Sequence, residues 1–177
     1  MTFINKLNSD KNPQNGINVI VEIPKGSNIK YEIDVENGAL FVDRKLSTTM
    51  FYPFNYGFIP NTKEDDDDPV DVFVLGDYPL VPMSVIRANP VGVLLTEDQD
   101  GRDSKIIAVP IEKVDPNFSN VTDINSIAEH IRNQIKHFIE HHKELEKGKY
   151  VRVVGWEDKE VAKKNISKAI ERYNRQR

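Results

Sequence analysis

The chain has 177 residues, 38% hydrophobic and 29% charged, which fits one ordinary globular domain, residues 1–177, with room for a proper core. A formal net charge of −4 excludes the global basic field that non-specific nucleic-acid binding exploits, and the lack of cysteine excludes disulfides, thiolate nucleophiles and zinc–thiolate sites. No stretch of about 18 apolar residues is present to span a membrane, and Met1 to Asn18 contain no signal-peptide core, so a cytoplasmic protein is expected.

Residues 1–16 form a polar, turn-rich amino-terminal segment whose structure the sequence does not decide. Ile17 to Ile23 reads as a strand ended by Pro24-Lys25-Gly26, and Ile29 to Asp34 alternates apolar and polar residues cleanly. After the hairpin signal Asn37-Gly38 comes Ala39 to Arg44, and the three strands are expected to form an antiparallel meander. Phe51 to Phe58 holds five aromatics in eight residues. Its phenylalanines are assigned to the core, while the polar tips of Tyr52 and Tyr56 need partners and could meet an anion.

Asp65-Asp66-Asp67-Asp68-Pro69-Val70-Asp71 follows, with five carboxylates in seven residues, and runs into the strand Val72 to Leu75. Like charges ~4 Å apart repel by about a kcal/mol even in water. Pro69 and the β-branched start of the strand fix Asp71 among its neighbours, and fixed carboxylates call for hard cations such as Mg²⁺, Mn²⁺ or Ca²⁺. A solvated acidic turn is the competing explanation. An EF-hand is excluded, because counting from Asp66 its sixth and twelfth positions hold Asp71 and Asp77 instead of glycine and glutamate.

Ser84 to Thr96 is a long β segment interrupted by Pro90 and Gly92, as suits the corner of a closed barrel. A second acidic loop, Glu97 to Lys105, precedes the strand Ile106 to Val109. Ser126 and Glu129 fit a capping box for a helix whose apolar positions continue to Leu145 and which closes at Lys147-Gly148. A strand from Tyr150 to Val154 and a helix from about Asp158 to Tyr173 complete the chain. Strands first and helices last argue for an α+β fold with a barrel-like sheet flanked by helices, two of them near the carboxy terminus.

If the barrel brings the two acidic loops together, Asp66, Asp68 and Asp71 with Asp98 and Asp103 supply oxygens for more than one divalent ion. Such a site is strongly positive when loaded and calls for an anion, most naturally phosphate. Lys30, Arg44, Lys105 and Lys143 are the cations interleaved with the acids. In-line attack on phosphorus needs an activated water, charge neutralisation and a stabilised leaving group, all of which these residue types can provide without a covalent nucleophile.

The chain resembles the family I soluble inorganic pyrophosphatases of the bacterial type from about Ile17 to the last helix. The resemblance rests on Ile29-Lys30-Tyr31-Glu32-Ile33-Asp34, Gly38 to Arg44, Phe51 to Gly57, Asp66-Asp67-Asp68-Pro69-Val70-Asp71-Val72, Asp103-Ser104-Lys105 and His142 to Lys149. It implies a five-stranded OB-like β-barrel and hydrolysis of pyrophosphate to two phosphates with about three or four Mg²⁺, Mn²⁺ being a possible substitute. Carried over by position, Asp66, Asp71 and Asp103 would hold the first metal, with Asp71 bridging to a second. Asp98 and Asp103 would take a metal arriving with substrate, and Glu32 another. Asp68 would accept the proton of the attacking water. Lys30, Arg44, Tyr56, Lys105 and Lys143 would hold the phosphates, with Glu22 and Tyr52 in support.

Three positions depart from the family pattern. Asp67 stands where many relatives have glycine, Gln99 where some have an acid, and His142 where a phosphate-binding tyrosine is usual. A histidine could donate to phosphate, but its charge would vary near pH 6.5. His137 and His141, spaced i, i+4, lack the zincin pattern, and the resemblance places them at a subunit contact of a homohexamer. A non-catalytic OB-fold module binding nucleotide or nucleic acid is the alternative function, but it calls for a basic groove. No nucleic-acid or membrane partner is expected.

Overall fold

A computed structural model describes residues 3–7 and 13–176. Within the amino-terminal segment, α1 spans Phe3–Lys6, a single 3-10 turn covers Pro13–Asn15, and the rest of that segment lies outside the described residues. Eight strands follow: β1 (Ile17–Ile23), β2 (Ile29–Ile33), β3 (Leu40–Lys45), β4 (Asn55–Phe58), β5 (Asp71–Val74), β6 (Val85–Asp98), β7 (Gly101–Pro110) and β8 (Val151–Asp158). Helices α2 (Glu129–His141) and α3 (Lys159–Arg175) lie on either side of β8 in sequence.

Five strands close on themselves in the order β1-β4-β5-β7-β6, and β6 returns to β1 through Ile17–Ala88 to Ile20–Val85. This is the OB-like barrel of an α+β fold. β8 adds outside the ring, on β6. Where β6 turns from β1 toward β8, its register on β7 shifts between Pro90 and Gly92. Proline has no N–H for the ladder, and a side chain at Gly92 would meet the Glu157 carbonyl oxygen and Ile124 Cβ, each at 2.8 Å. Gly57 is equally constrained, because a Cβ there would lie 1.9 Å from the Ile20 carbonyl oxygen across the β1–β4 pair.

Side-chain alternation divides the core into two faces. Val72 and Val74 of β5 and Ile106 and Ala108 of β7 pack with Ala162, Ile166 and Ala169 of α3. Phe73, Leu75, Ile107 and Val109 point the other way and pack with Ile135, Phe138 and Ile139 of α2.

Several expectations are corrected. β1 does not begin a meander: it pairs with β4 and β6, while β2 and β3 form a separate two-stranded sheet. The reason is visible in burial, since Val19, Ile20 and Val21 are all buried and a strand apolar on both faces belongs in a covered wall. The second acidic stretch is largely strand, and β6 and β7 are joined only through Gln99 and Asp100. Phe51 is exposed, unlike Phe54 and Phe58.

The capping box is absent. Asp123 instead caps a 3-10 turn over Ile124–Ser126, and α2 starts at Glu129 with Ala128 at its N-cap and no side-chain bond. α2 also stops early, at His141, where the His142 ring bonds the carbonyl oxygens of Phe138 and Ile139 at 3.0 Å. Leu145 therefore lies past the helix, exposed.

Candidate active site

The parallel register of β5 on β7, Val72 opposite Ile106, sets Asp71 beside Lys105 at one end of the barrel. Asp103 and Lys105 are two apart on β7 and so share its face. The Lys105 ammonium donates to Asp71 Oδ2 at 2.5 Å and pairs with Asp103 Oδ2 at 2.7 Å. Burial alone would push the Lys105 ammonium down, but Asp71 and Asp103 outweigh it and hold the group above its ordinary value. Tyr56 enters from β4 beside Asp71; burial first, then Asp71 and Asp103, pushes its phenol well up.

Around this pair opens a cavity of about 1410 Å³ lined by Glu22, Lys30, Glu32, Tyr56, Asp66, Asp68, Asp71, Asp98, Asp103 and Lys105. Ten of the fourteen residues singled out by sequence thus face one space. Glu22 rises from β1 and accepts the Ile33 N–H at 2.8 Å, and burial pushes its carboxyl up to about 8. Lys30 bonds Glu32 and lies 3.3 Å from Asp43. Asp66 and Asp68 sit on an exposed loop in which Asp66 Oδ1 accepts the Asp68 N–H at 3.1 Å. Burial and then Asp66 and Asp71 raise the Asp68 carboxyl; burial also raises that of Asp103, against the pull of Lys105.

Four residues stand outside the lining. Arg44 pairs with Asp43 at 2.7 Å and, through Nε, with Glu146 Oε1 at 3.3 Å. Lys143 is pushed down by burial and then by Lys105, with Lys30 and Arg44 adding to the effect. Lys105, Lys30 and Arg44 thus all act on Lys143, with Asp98 opposing them, and positive charge gathered in this way suits an anion. Tyr52 is buried behind Tyr56, with ring centroids 5.6 Å apart. His142 is also buried, stacked 4.9 Å from Phe138, and burial and Lys143 push its imidazole down to about 4. The expectation that its charge varies near pH 6.5 is therefore corrected: the ring is neutral there.

Sequence reasoning missed Glu64, Asn165, Lys168 and Arg172, which also line the cavity. Burial, and then Asp71, Asp103 and Asp66 against the pull of Lys105, raises the Glu64 carboxyl to about 8. Its adjacency to the acidic run was the available signal. Nothing in α3 announced the other three.

Among the described residues no three acids or imidazoles already stand together at metal-binding distance. The fit to divalent ions rests on donor chemistry: oxygen ligands only, in a cavity where buried acids are short of positive charge. An OB-like barrel with such a cavity beside a cluster of lysine and arginine has oxygen donors suited to hard cations and positive charge suited to an anion.

The inorganic pyrophosphatase family model matches residues 19–174. The chain is 54% identical over 167 residues to the inorganic pyrophosphatase of Sulfolobus acidocaldarius, covering 94% of this chain and 96% of that protein. It is 52% identical to that of Rickettsia prowazekii over 171 residues, covering 96% and 99%. The solved structure of the Helicobacter pylori inorganic pyrophosphatase superposes with a TM-score of 0.92 at 49% identity, covering 96% of this chain and 99% of that one. That of Thermus thermophilus also gives 0.92, at 39% identity, covering 98% and 99%. The chain belongs to the family I soluble inorganic pyrophosphatases. The family implies a divalent-metal cofactor, and no helix among the described residues is long and apolar enough to cross a membrane.

Proposed function

We infer that this chain is an inorganic diphosphatase, hydrolysing pyrophosphate to two phosphates. The observation that carries the reading is the Asp71–Lys105–Asp103 chain at the edge of the acidic cavity, with Lys30, Arg44 and Lys143 within electrostatic reach. The same acidic lining weighs against the OB-fold nucleic-acid module, which calls for a basic groove.

Mg²⁺, about three or four ions per site with Mn²⁺ as a substitute, would supply charge neutralisation on phosphate oxygens and a lowered pKa for water. Asp66, Asp71 and Asp103 are the proposed ligands of a first ion, Asp71 being shared with a second, and Asp98 and Glu32 the ligands of others. Asp68 is the proposed proton acceptor; its raised carboxyl lies nearer to neutral pH, where a general base works best. Lys30, Arg44, Tyr56, Lys105 and Lys143 are the proposed ligands of the two phosphoryl groups. Glu22 and Tyr52 brace the wall behind them, and the buried His142 caps α2 with no phosphate contact assigned. The chain is proposed to act as one domain in the cytoplasm, as a homohexamer. His137 and His141 stack at 4.4 Å along α2, with His137 exposed, which supports a subunit contact there.

The test is phosphate release from pyrophosphate with and without Mg²⁺; no release in millimolar Mg²⁺ rejects the reading. Asp71→Asn is expected to remove nearly all turnover with the fold intact.

A further inference from the structure

The acidic loop between Thr62 and Val70 is held at its base, where Thr62 Oγ1 accepts the Val70 N–H at 3.0 Å and donates to the Ile59 carbonyl oxygen. Above that base, Asp66 and Asp68 project toward the cavity, and both are exposed. Asp67 takes a positive φ of 74°, and the Glu64 N–H bonds the Asp68 carbonyl oxygen at 2.8 Å, so the loop closes on itself. Its remaining attachment is to α3. The Lys63 N–H bonds the Ala169 carbonyl oxygen at 3.1 Å. Arg172, one helical turn further along, grips the loop twice: Nη1 donates to the Lys63 carbonyl oxygen at 3.3 Å and Nη2 to Asp65 Oδ1.

We propose that Arg172 is a positioning residue that sets the divalent-metal affinity of the site by fixing the Asp66–Asp68 loop against α3. The proposal rests on the metal-dependent reading above and deepens it. α3 is a rigid support, because Ala162, Ile166 and Ala169 are buried in the core shared with β5 and β7. The Arg172 fork carries that rigidity outward, adding a side-chain tie to a loop otherwise held by its base, by the Lys63–Ala169 backbone bond and by its own internal bonds. A cation drawing several carboxylates together must order this loop when it binds. An arginine that orders it beforehand removes part of that entropic cost and so tightens binding. Asp65, which carries no other role in the site, becomes the handle by which the loop is held. The Asp65 side of the fork is exposed, so it contributes little to overall stability. Its effect belongs in metal affinity, which separates positioning from a merely structural contact.

The experiment compares the full-length wild type with Arg172→Gln, Arg172→Lys, Asp65→Asn and the Arg172→Gln/Asp65→Asn double variant. Mn²⁺ binding is read directly by electron paramagnetic resonance, and the Mg²⁺ dependence of pyrophosphate hydrolysis is read in parallel. Arg172→Gln is expected to weaken Mn²⁺ binding by about tenfold, the lower end of outer-shell effects, and to raise the half-saturating Mg²⁺ by the same factor. Its turnover at saturating Mg²⁺ should stay within about twofold of wild type. Arg172→Lys should recover part of the loss, Asp65→Asn should show a smaller loss, and the double variant should match Arg172→Gln. Weakening below about threefold, turnover lost at saturating Mg²⁺ with affinity unchanged, or additive losses in the double variant would each overturn the proposal. If the wild type binds Mn²⁺ but releases no phosphate, the enzymatic reading fails and the binding comparison still decides the role of Arg172.

Discussion

Lys105 on β7 holds Asp71 on β5 at 2.5 Å across a parallel strand pair, and with the same ammonium it holds Asp103 at 2.7 Å. One cation thus joins two proposed metal ligands from different strands. Removing it leaves both acids without compensation at a site where the lysine side chain is only 12% exposed. Lys105→Met is expected to cost about 3 kcal/mol of stability in metal-free buffer, the usual order for breaking a buried pair from one side. Millimolar Mg²⁺ should recover much of that loss. Urea denaturation of both proteins with and without Mg²⁺ measures it, and an equal loss under both conditions would contradict it.

Metal removal from the wild type should itself be visible. A cation at about a hundred times its dissociation constant stabilises the folded state by about 2.7 kcal/mol, which for a chain of this size raises Tm by roughly 5–10 °C. Calorimetric scans in chelator and in saturating Mg²⁺ test this, and coincident transitions would refute it.

His142 gives a prediction with a definite sign. Its folded imidazole is pushed down to about 4, chiefly by burial, from an ordinary value of 6.5. Above about pH 6.5 both folded and unfolded states carry it neutral, and it costs nothing. Below that the unfolded chain takes up the proton first, so stability falls as pH drops from about 6.5 to about 4. At pH 5 the expected loss from this residue is about 2 kcal/mol. His142→Gln should flatten this part of the profile, seen as a smaller difference in denaturation midpoint between pH 7 and pH 5. Because the ring stays neutral from pH 6 to 9, His142→Tyr should leave the pH dependence of substrate affinity unchanged over that range.

Asp67 occupies a left-handed position, with φ of 74°, where glycine is at ease and aspartate is among the better-tolerated side chains. That is the physical reason glycine suits this step of the loop. Asp67→Gly gives up the ion pair with Lys63 at 2.9 Å, which is largely exposed, and relieves the backbone. The two effects nearly cancel, and stability should change by less than about 1 kcal/mol. Asp67→Val, β-branched at the same φ, should cost about 1–2 kcal/mol. Comparable losses for the two would show that φ does not govern this position.

Local chemistry made much of the molecule legible. Alternating or β-branched runs marked β1, β2, β3 and β5, the Pro90–Gly92 interruption marked the bend of β6, and Asp66 to Asp71 marked the acidic wall. What escaped were relationships between distant segments. The apolar run of β1 cannot say that its neighbours are β4 and β6, and no pattern within β5 or β7 announces that they run parallel. Ser126 and Glu129 carried the right spacing for a cap, but Asp123 took the preceding turn and displaced the helix start. Arg172 looked like one more basic residue on a surface helix until the path of the loop past α3 was known.

β6 is a wall common to three neighbours, running along β1, β7 and β8 in turn. The hairpin with β7 forms across a turn of two residues, but closure against β1 joins Ile17 to Ala88 and must overcome a far larger loop-closure entropy. The ring is therefore expected to shut late in folding. Until it does, the apolar edges of β1 and β6 are open to another copy of the chain. For newly made protein, the seam between these two strands is the place where productive folding competes with aggregation.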